Sequence, residues 1–90
     1  MLLISYDISN DKLRSQFSKF LGKFGHRLQY SLFQIRNSPR ALENIEIKVE
    51  TYFAKQFGET DSIMVFRMSQ TCKITKYGYA KHEDEDLIII

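Results

Sequence analysis

Apolar and polar positions along the chain change period several times, and each change marks an element. The chain opens on an apolar run, Leu2-Leu3-Ile4-Ser5-Tyr6, interrupted only by Ser5, which delivers one carboxylate, Asp7, at its end. A short run without alternation predicts a buried central strand. After the polar turn Ile8-Ser9-Asn10-Asp11, the residues Leu13, Phe17, Phe20, Leu21 and Phe24 recur at i, i+4, i+7, i+8 and i+11. That spacing predicts one helical face from Lys12 to Phe24. Asn10 or Asp11 caps its start, and Gly25 is expected to supply a left-handed stop. The stretch His26–Arg36 is rich in aromatic and branched residues and predicts strand. Its parity shifts, however: Leu28, Tyr30 and Leu32 share one phase, Phe33 and Ile35 the other. Two short strands meeting near Tyr30-Ser31 follow from that shift.

Asn37-Ser38-Pro39 then signals a helix start, with Ser38 as cap and Pro39 in the first turn. Leu42, Ile45, Val49, Tyr52, Phe53 and Phe57 share a face up to Gly58, where the helix is expected to stop. Glu46 within that face and Ile47 outside it find no place in the pattern. Ser62–Met68 is apolar on both parities except for Arg67, which predicts a central or doubly covered strand. Strand, helix, strand-strand, helix, strand is the ferredoxin-like βαββαβ order, an α+β fold. We expect this unit to span residues 1–68. Residues 69–90 are expected to add a C-terminal strand, Cys72 to Gly78, and an acidic tail packing on another protomer or a partner. The tail ends in Leu87, Ile88, Ile89 and Ile90 after a run of four acids. Such an apolar end can satisfy its backbone by adding to a sheet edge, in the same fold or in another chain.

Ninety residues make one domain, too small for a deep private cleft, so a large site is expected to be shared with a partner. One cysteine and two distant histidines leave neither a disulfide nor zinc-ligand spacing. The first apolar run is too short for a signal peptide or a membrane span, and a cytoplasmic, soluble protein is expected. The formal charge of +2 hides an asymmetry: residues 1–40 carry seven Lys/Arg against two acids, residues 41–90 six against nine. The basic half suits phosphates, although a solvated charged surface has the same composition. Lys12, Lys19 and Lys23 fall within roughly 40° of one another on the predicted helix, beside its apolar face. They form either a phosphate-facing stripe or a solvated flank.

Asp7 stands where α/β architectures place reacting groups, at the carboxyl end of a strand, though hydrogen bonding to the following turn would also explain it. Magnesium, which keeps most of its waters, needs only one or two protein carboxylates. A twofold dimer bringing two copies of Asp7 together would make such a site, with Arg14, Arg27 and the lysines positioning a nucleic-acid backbone. No serine or cysteine nucleophile has a suggestive partner. A glycine-rich phosphate loop and the glycine-aromatic motif of RNA-recognition domains are both missing.

The pattern Ile-Ser-Tyr-Asp-Ile-Ser at 4–9, Asp-Lys-Leu-Arg at 11–14 and Arg-Leu-Gln-Tyr-Ser-Leu-Phe at 27–33 resembles the CRISPR-associated protein two family. Asp61-Ser-Ile, Cys72-Lys-Ile, Tyr77-Gly78 and the acidic tail extend the resemblance along nearly the whole chain. It implies a ferredoxin-like homodimer whose C-terminal segment crosses onto the other protomer or a partner. It further implies a metal-dependent endonuclease of RNA or double-stranded DNA, and a scaffold that holds incoming DNA for a CRISPR integrase subunit during spacer acquisition in antiviral defence. Asp7 matches the metal ligand. Tyr6, Ser31 and Phe33, with Arg14 and Arg27, match the active-site region. Gln34-Ile35-Arg36 departs from the acidic and small residues often found after the phenylalanine, and the added Arg36 suits DNA contact. Two other readings stand beside the enzyme: a purely structural DNA-binding scaffold, and a toxin-like RNA interferase of similar fold.

Overall fold

The structure, a computed structural model, describes residues 1–68 and 73–78. Five strands form one antiparallel sheet in the order β2-β3-β1-β4-β5: β1 (Leu2–Asp7), β2 (Gly25–Gln29), β3 (Leu32–Ile35), β4 (Ser62–Arg67) and β5 (Lys73–Gly78). Helices α1 (Asp11–Leu21) and α2 (Pro39–Lys48) connect them in the ferredoxin-like βαββαβ order, with β5 added beside β4. Residues 73–78 thus pair with β4 of their own chain, while 79–90, including Leu87 to Ile90, lie outside the described residues. Cys72 lies outside them too. No helix among the described residues is long and apolar enough to cross a membrane.

Burial alternates along β1, and that alternation sets the layers. Leu2, Ile4 and Tyr6 are buried beneath the helices with Phe33, Ile35, Ile63 and Val65. Phe17 of α1 sits in the middle, its ring 5.2 Å from Tyr6 and 4.8 Å from Phe53, both edge-on. Edge-to-face pairs of this kind add to the area term through the ring quadrupoles. The opposite face of the sheet is open. Leu3, Leu32, Met64, Phe66 and Ile74 lie half-buried there, so β4 is central, paired with β1 and β5 as one of the two expected alternatives, but covered by helices on one face only.

Both helix starts follow the expected capping. Asn10 accepts from the Leu13 N–H at 2.8 Å, and Ser38 from the Ala41 N–H at 3.3 Å. The first helix ends earlier than expected; the second carries helical turns to Gln56, just short of Gly58, but changes pitch on the way. α1 stops at Leu21, and Lys23 and Phe24 donate to Phe20 and Leu21 in tight turns. These turns keep the Phe24 ring on Phe20, 5.2 Å between centroids, so the apolar spacing is satisfied without a fourth helical turn. After α2 the chain widens into a π turn, Val49–Phe53, and tightens into a 3-10 turn, Ala54–Gln56. This variation in pitch buries Val49 and Phe53 while leaving Tyr52 exposed.

Neither Gly25 nor Gly58 is a left-handed stop; among the described residues only Gly78 has a positive φ, 78°. Gly58 instead donates its N–H to Asp61 at 2.8 Å. Gly25 opens β2, where a Cβ would lie 2.0 Å from the Gln34 carbonyl oxygen and 2.8 Å from the Ile35 Cα. The β3 backbone it would meet cannot yield cheaply. Gly25→Ala is therefore expected to destabilise the fold by about 2–3 kcal/mol, read as a lower midpoint in urea unfolding; an unchanged midpoint would refute the close approach.

Two residues without a place in the sequence pattern meet across the core. Arg67 donates to Glu46 at 2.8 Å and to Thr75 at 2.8 Å, and the Tyr77 hydroxyl donates to the same Glu46 oxygen at 3.3 Å. Burial first, then the charges of Glu46 and Glu50 and the Glu46 hydrogen bond, push the Tyr77 phenol up to about 12, against the pull of Arg67. The cluster ties α2 to the edge of the sheet.

Candidate functional site

Asp7 ends β1 directly across from Ser62, which in turn faces Gly78. Odd positions of β1 face away from the helices, so Asp7 stands with Leu3 and Ser5 on the open side. Its carboxylate is exposed and has no ion pair or hydrogen-bond partner among the described residues. The turn after it is held from 52 residues away. Asp61, only 2% exposed, accepts from the Ser9 N–H at 2.9 Å, the Ser9 hydroxyl at 3.0 Å and the Gly58 N–H at 2.8 Å. Burial by itself would raise the Asp61 pKa; the three donors outweigh it and hold the carboxyl below the ordinary value. Sequence reading gave Asp61 no role beyond the Asp61-Ser-Ile match of the resemblance. The available signal was a glycine three residues before an aspartate at a strand start.

A second feature lies between α1 and the β2-β3 hairpin, a concavity of about 200 Å³ lined by Tyr6, Arg14, Ser18, Arg27 and Tyr30, with Asp11 at its rim. The Arg14 guanidinium donates to the Ile8 carbonyl at 3.0 Å and pairs with Asp11; that hydrogen bond raises its pKa further. Arg27 donates to the Ser18 hydroxyl, and its guanidinium carbon lies 5.5 Å from the Phe33 ring centroid. A guanidinium has five N–H donors, so both arginines keep donors for an anion. Tyr6 and Phe33 are themselves buried, the wall on which Arg27 rests. Ser31 sits in the hairpin turn, its carbonyl accepting from the Tyr6 N–H at 3.1 Å. Tyr30 beside it is 74% exposed, a residue that sequence reading used only to locate the turn.

Alternation therefore separates what the sequence grouped. Tyr6, Arg14, Arg27, Ser31 and Phe33 gather at the hairpin side beneath α1, whereas Asp7 points to the open sheet face. Lys12 and Lys19 are exposed on α1; Lys23 falls in the turn after it, and Arg36, just past β3, donates to the Lys23 carbonyl at 3.3 Å. No group of three His, Cys, Asp or Glu side chains among the described residues forms a ready-made metal cage. Asp11 is taken by Arg14 and Asp61 by its three donors, which leaves Asp7 at the strand end, and Glu59 in the turn before β4, as the carboxylates without a partner among the described residues at this end of the sheet.

Residues 1–75 match the family model described as CRISPR associated protein Cas2. The chain is 29% identical over 92 residues to CRISPR-associated endoribonuclease Cas2 2 of Methanospirillum hungatei, covering 98% of this chain and 97% of that protein. It is 30% identical over 92 residues to the CRISPR-associated endoribonuclease Cas2 of Thermus thermophilus, covering 97% and 95%. With CRISPR-associated endoribonuclease Cas2 1 of Archaeoglobus fulgidus it shares 34% over 74 residues, 81% of this chain and 76% of that one. Matched along its ferredoxin-like core and at nearly full length by such relatives, this chain belongs to the CRISPR-associated Cas2 family.

Proposed function

We propose that the chain works as a homodimeric, divalent-metal-dependent endonuclease of RNA or double-stranded DNA, and that the same dimer holds DNA for the integrase subunit during spacer acquisition in the cytoplasm. The observation that carries this reading is the position of Asp7, exposed and unpaired, at the end of a sheet face with five half-buried apolar side chains. A second copy covering this apolar face, about a twofold axis that runs along the strands, would bring two Asp7 carboxylates to the same end of the interface and into one site. The relatives' shared name, endoribonuclease, supports RNA as one substrate.

The chemistry of Asp7 fits magnesium, a hard cation that accepts one or two carboxylates and fills its remaining positions with water. When bound, the ion supplies an activated water and neutralises phosphate charge. Arg14 and Arg27 bind the nucleic-acid backbone by charge-assisted hydrogen bonds, and Phe33 supports Arg27 against the hairpin. Lys12 and Lys19 extend the cationic surface along α1. Asp61 and Ser9 keep the end of β1 in place. In the scaffold role, Leu87 to Ile90 join the integrase by strand addition.

Phe66 lies opposite Leu3 and Ile74 in the middle of the open face. Phe66→Glu is expected to yield a monomer by light scattering and to lower cleavage by about 10²-fold or more. A monomer that cleaves at the wild-type rate would place the whole site in one chain and refute the shared pair.

A further inference from the structure

The β2-β3 hairpin closes on residues that do not favour such a turn by themselves. Gln29 pairs with Leu32, so Tyr30 and Ser31 form a two-residue turn. Turns of this length normally use Asn-Gly or another glycine pair, whose central residues take a positive φ. Neither Tyr30 nor Ser31 has one, and the strands shift register between Arg27 and Gln29. Tyrosine supplies neither the backbone freedom nor the short polar side chain that closes a turn. The ring adds nothing to the core either. It is the most exposed of the large apolar side chains among the described residues, and among them it meets no other ring and makes no hydrogen bond. The turn that carries it is nevertheless fixed, because the Ser31 carbonyl accepts from the Tyr6 N–H of β1. A single exposed aromatic residue needs no explanation on a protein surface. One set in a tied turn against local preference, on the wall of a hollow shared with two guanidinium groups, does need one.

We infer that Tyr30 selects unpaired nucleotides at the Arg14-Arg27 groove, stacking one base on its ring while the arginines hold the adjoining phosphate. The concavity, about 200 Å³, has room for one flat base beside the guanidinium groups and not for the width of a duplex. Both cations are oriented before a ligand arrives, Arg14 by the Ile8 carbonyl and Arg27 by the Ser18 hydroxyl and the Phe33 ring. In a duplex both faces of a base are covered by its neighbours, and a side chain reaches only base edges in the grooves. In an unpaired strand the faces are free, and an aromatic ring stacks on any of the four bases. Tyr30 therefore discriminates by pairing and not by sequence, and a duplex is left with the phosphate contacts alone. The inference rests on the nucleic-acid reading of the groove and narrows it to strands with an unpaired base at the hairpin. It depends neither on Asp7 nor on a bound metal.

The test is binding of two probes to the full chain, in chelator so that nothing is cleaved: a single-stranded RNA of about 16 nucleotides and the fully paired RNA duplex of the same sequence. Four proteins are compared: wild type, Tyr30→Ala, Tyr30→Trp and the double variant Arg14→Gln/Arg27→Gln. Tyr30→Ala is expected to bind the single strand about tenfold more weakly and the duplex within about twofold of wild type, with its urea midpoint and its mass in light scattering unchanged. Tyr30→Trp keeps a ring and should retain the preference for the single strand. It also gives the chain its only tryptophan, whose fluorescence the single strand should quench and the duplex should not. Equal loss on both probes, or wild-type binding of the single strand by Tyr30→Ala, would overturn the stacking role. A lowered urea midpoint would make the ring structural, and a changed mass would assign it to a protein interface; either result overturns the inference too. The arginine variant keeps the two readings apart. If it binds both probes as wild type does, the groove itself is refuted and this inference with it. If it loses both while Tyr30→Ala keeps them, the groove stands and the inference alone falls.

Discussion

Replacing Asp7 with asparagine is expected to abolish metal-dependent cleavage while leaving fold and dimer intact. The side chain is exposed, unpaired and at a strand end, so the isosteric change should move stability by no more than about 0.5 kcal/mol. If two copies of Asp7 face each other in the dimer, removing their charges relieves like-charge repulsion, and association should not weaken. The proposed metal site, in contrast, would lose the strand-end carboxylate that each chain contributes. A fall of about 10³-fold in the cleavage rate is expected, which is about 4 kcal/mol of transition-state stabilisation. The measurement is cleavage of RNA and duplex DNA by contaminant-free protein with magnesium and with chelator, alongside light scattering. Full cleavage by the variant would refute the enzyme reading in favour of the structural scaffold, in which the basic surfaces hold DNA. Growth arrest on expression would favour the toxin-like interferase.

The second large effect concerns stability. Asp61 is buried, and its two oxygens take three donors from the β1-α1 turn and from Gly58. Asp61→Asn keeps the size but sets an amide NH2 against one of those donors, so a buried N–H or hydroxyl loses its acceptor. The expected cost is about 2–4 kcal/mol, or a fall in Tm of about 10–20 °C for a domain of this size. The pH dependence follows from the depressed pKa of the folded state. A carboxyl held below its unfolded value of about 4 contributes stability that is complete above that pH and is lost as pH falls through the folded pKa. Wild type should therefore lose stability below about pH 4 more steeply than Asp61→Asn. Parallel acid curves for the two proteins would refute the assignment.

Both effects depend on the same few turns of chain, yet they differ in how legible they were. Asp7 could be picked out because it ends a largely apolar run, and its face follows from the two-residue repeat of a strand. Asp61 could not, because its donors are 52 and 3 residues away and only the fold brings Ser9 to it. Glu46 and Arg67 are a similar case: a charge on an apolar helix face and a charge in an apolar strand have no explanation singly, and satisfy each other across the core.

The alternation of apolar and polar residues by itself determined which segments are strands and helices, their order, and hence the ferredoxin-like class. Those periods are local consequences of backbone geometry, and Ser38-Pro39 and Asn10 marked the helix starts equally locally. Only the tertiary structure decided where the helices end, why Gly25 is glycine, and that Asp7 and the arginines look out from opposite sides of the sheet. Each of these depends on contacts between segments distant in sequence: the Phe24 ring returning to Phe20, the Gln34 carbonyl closing on Gly25, the helices choosing one face of the sheet. A one-dimensional pattern carries the period of a segment, but the approach of two backbones is a property of the packed chain alone.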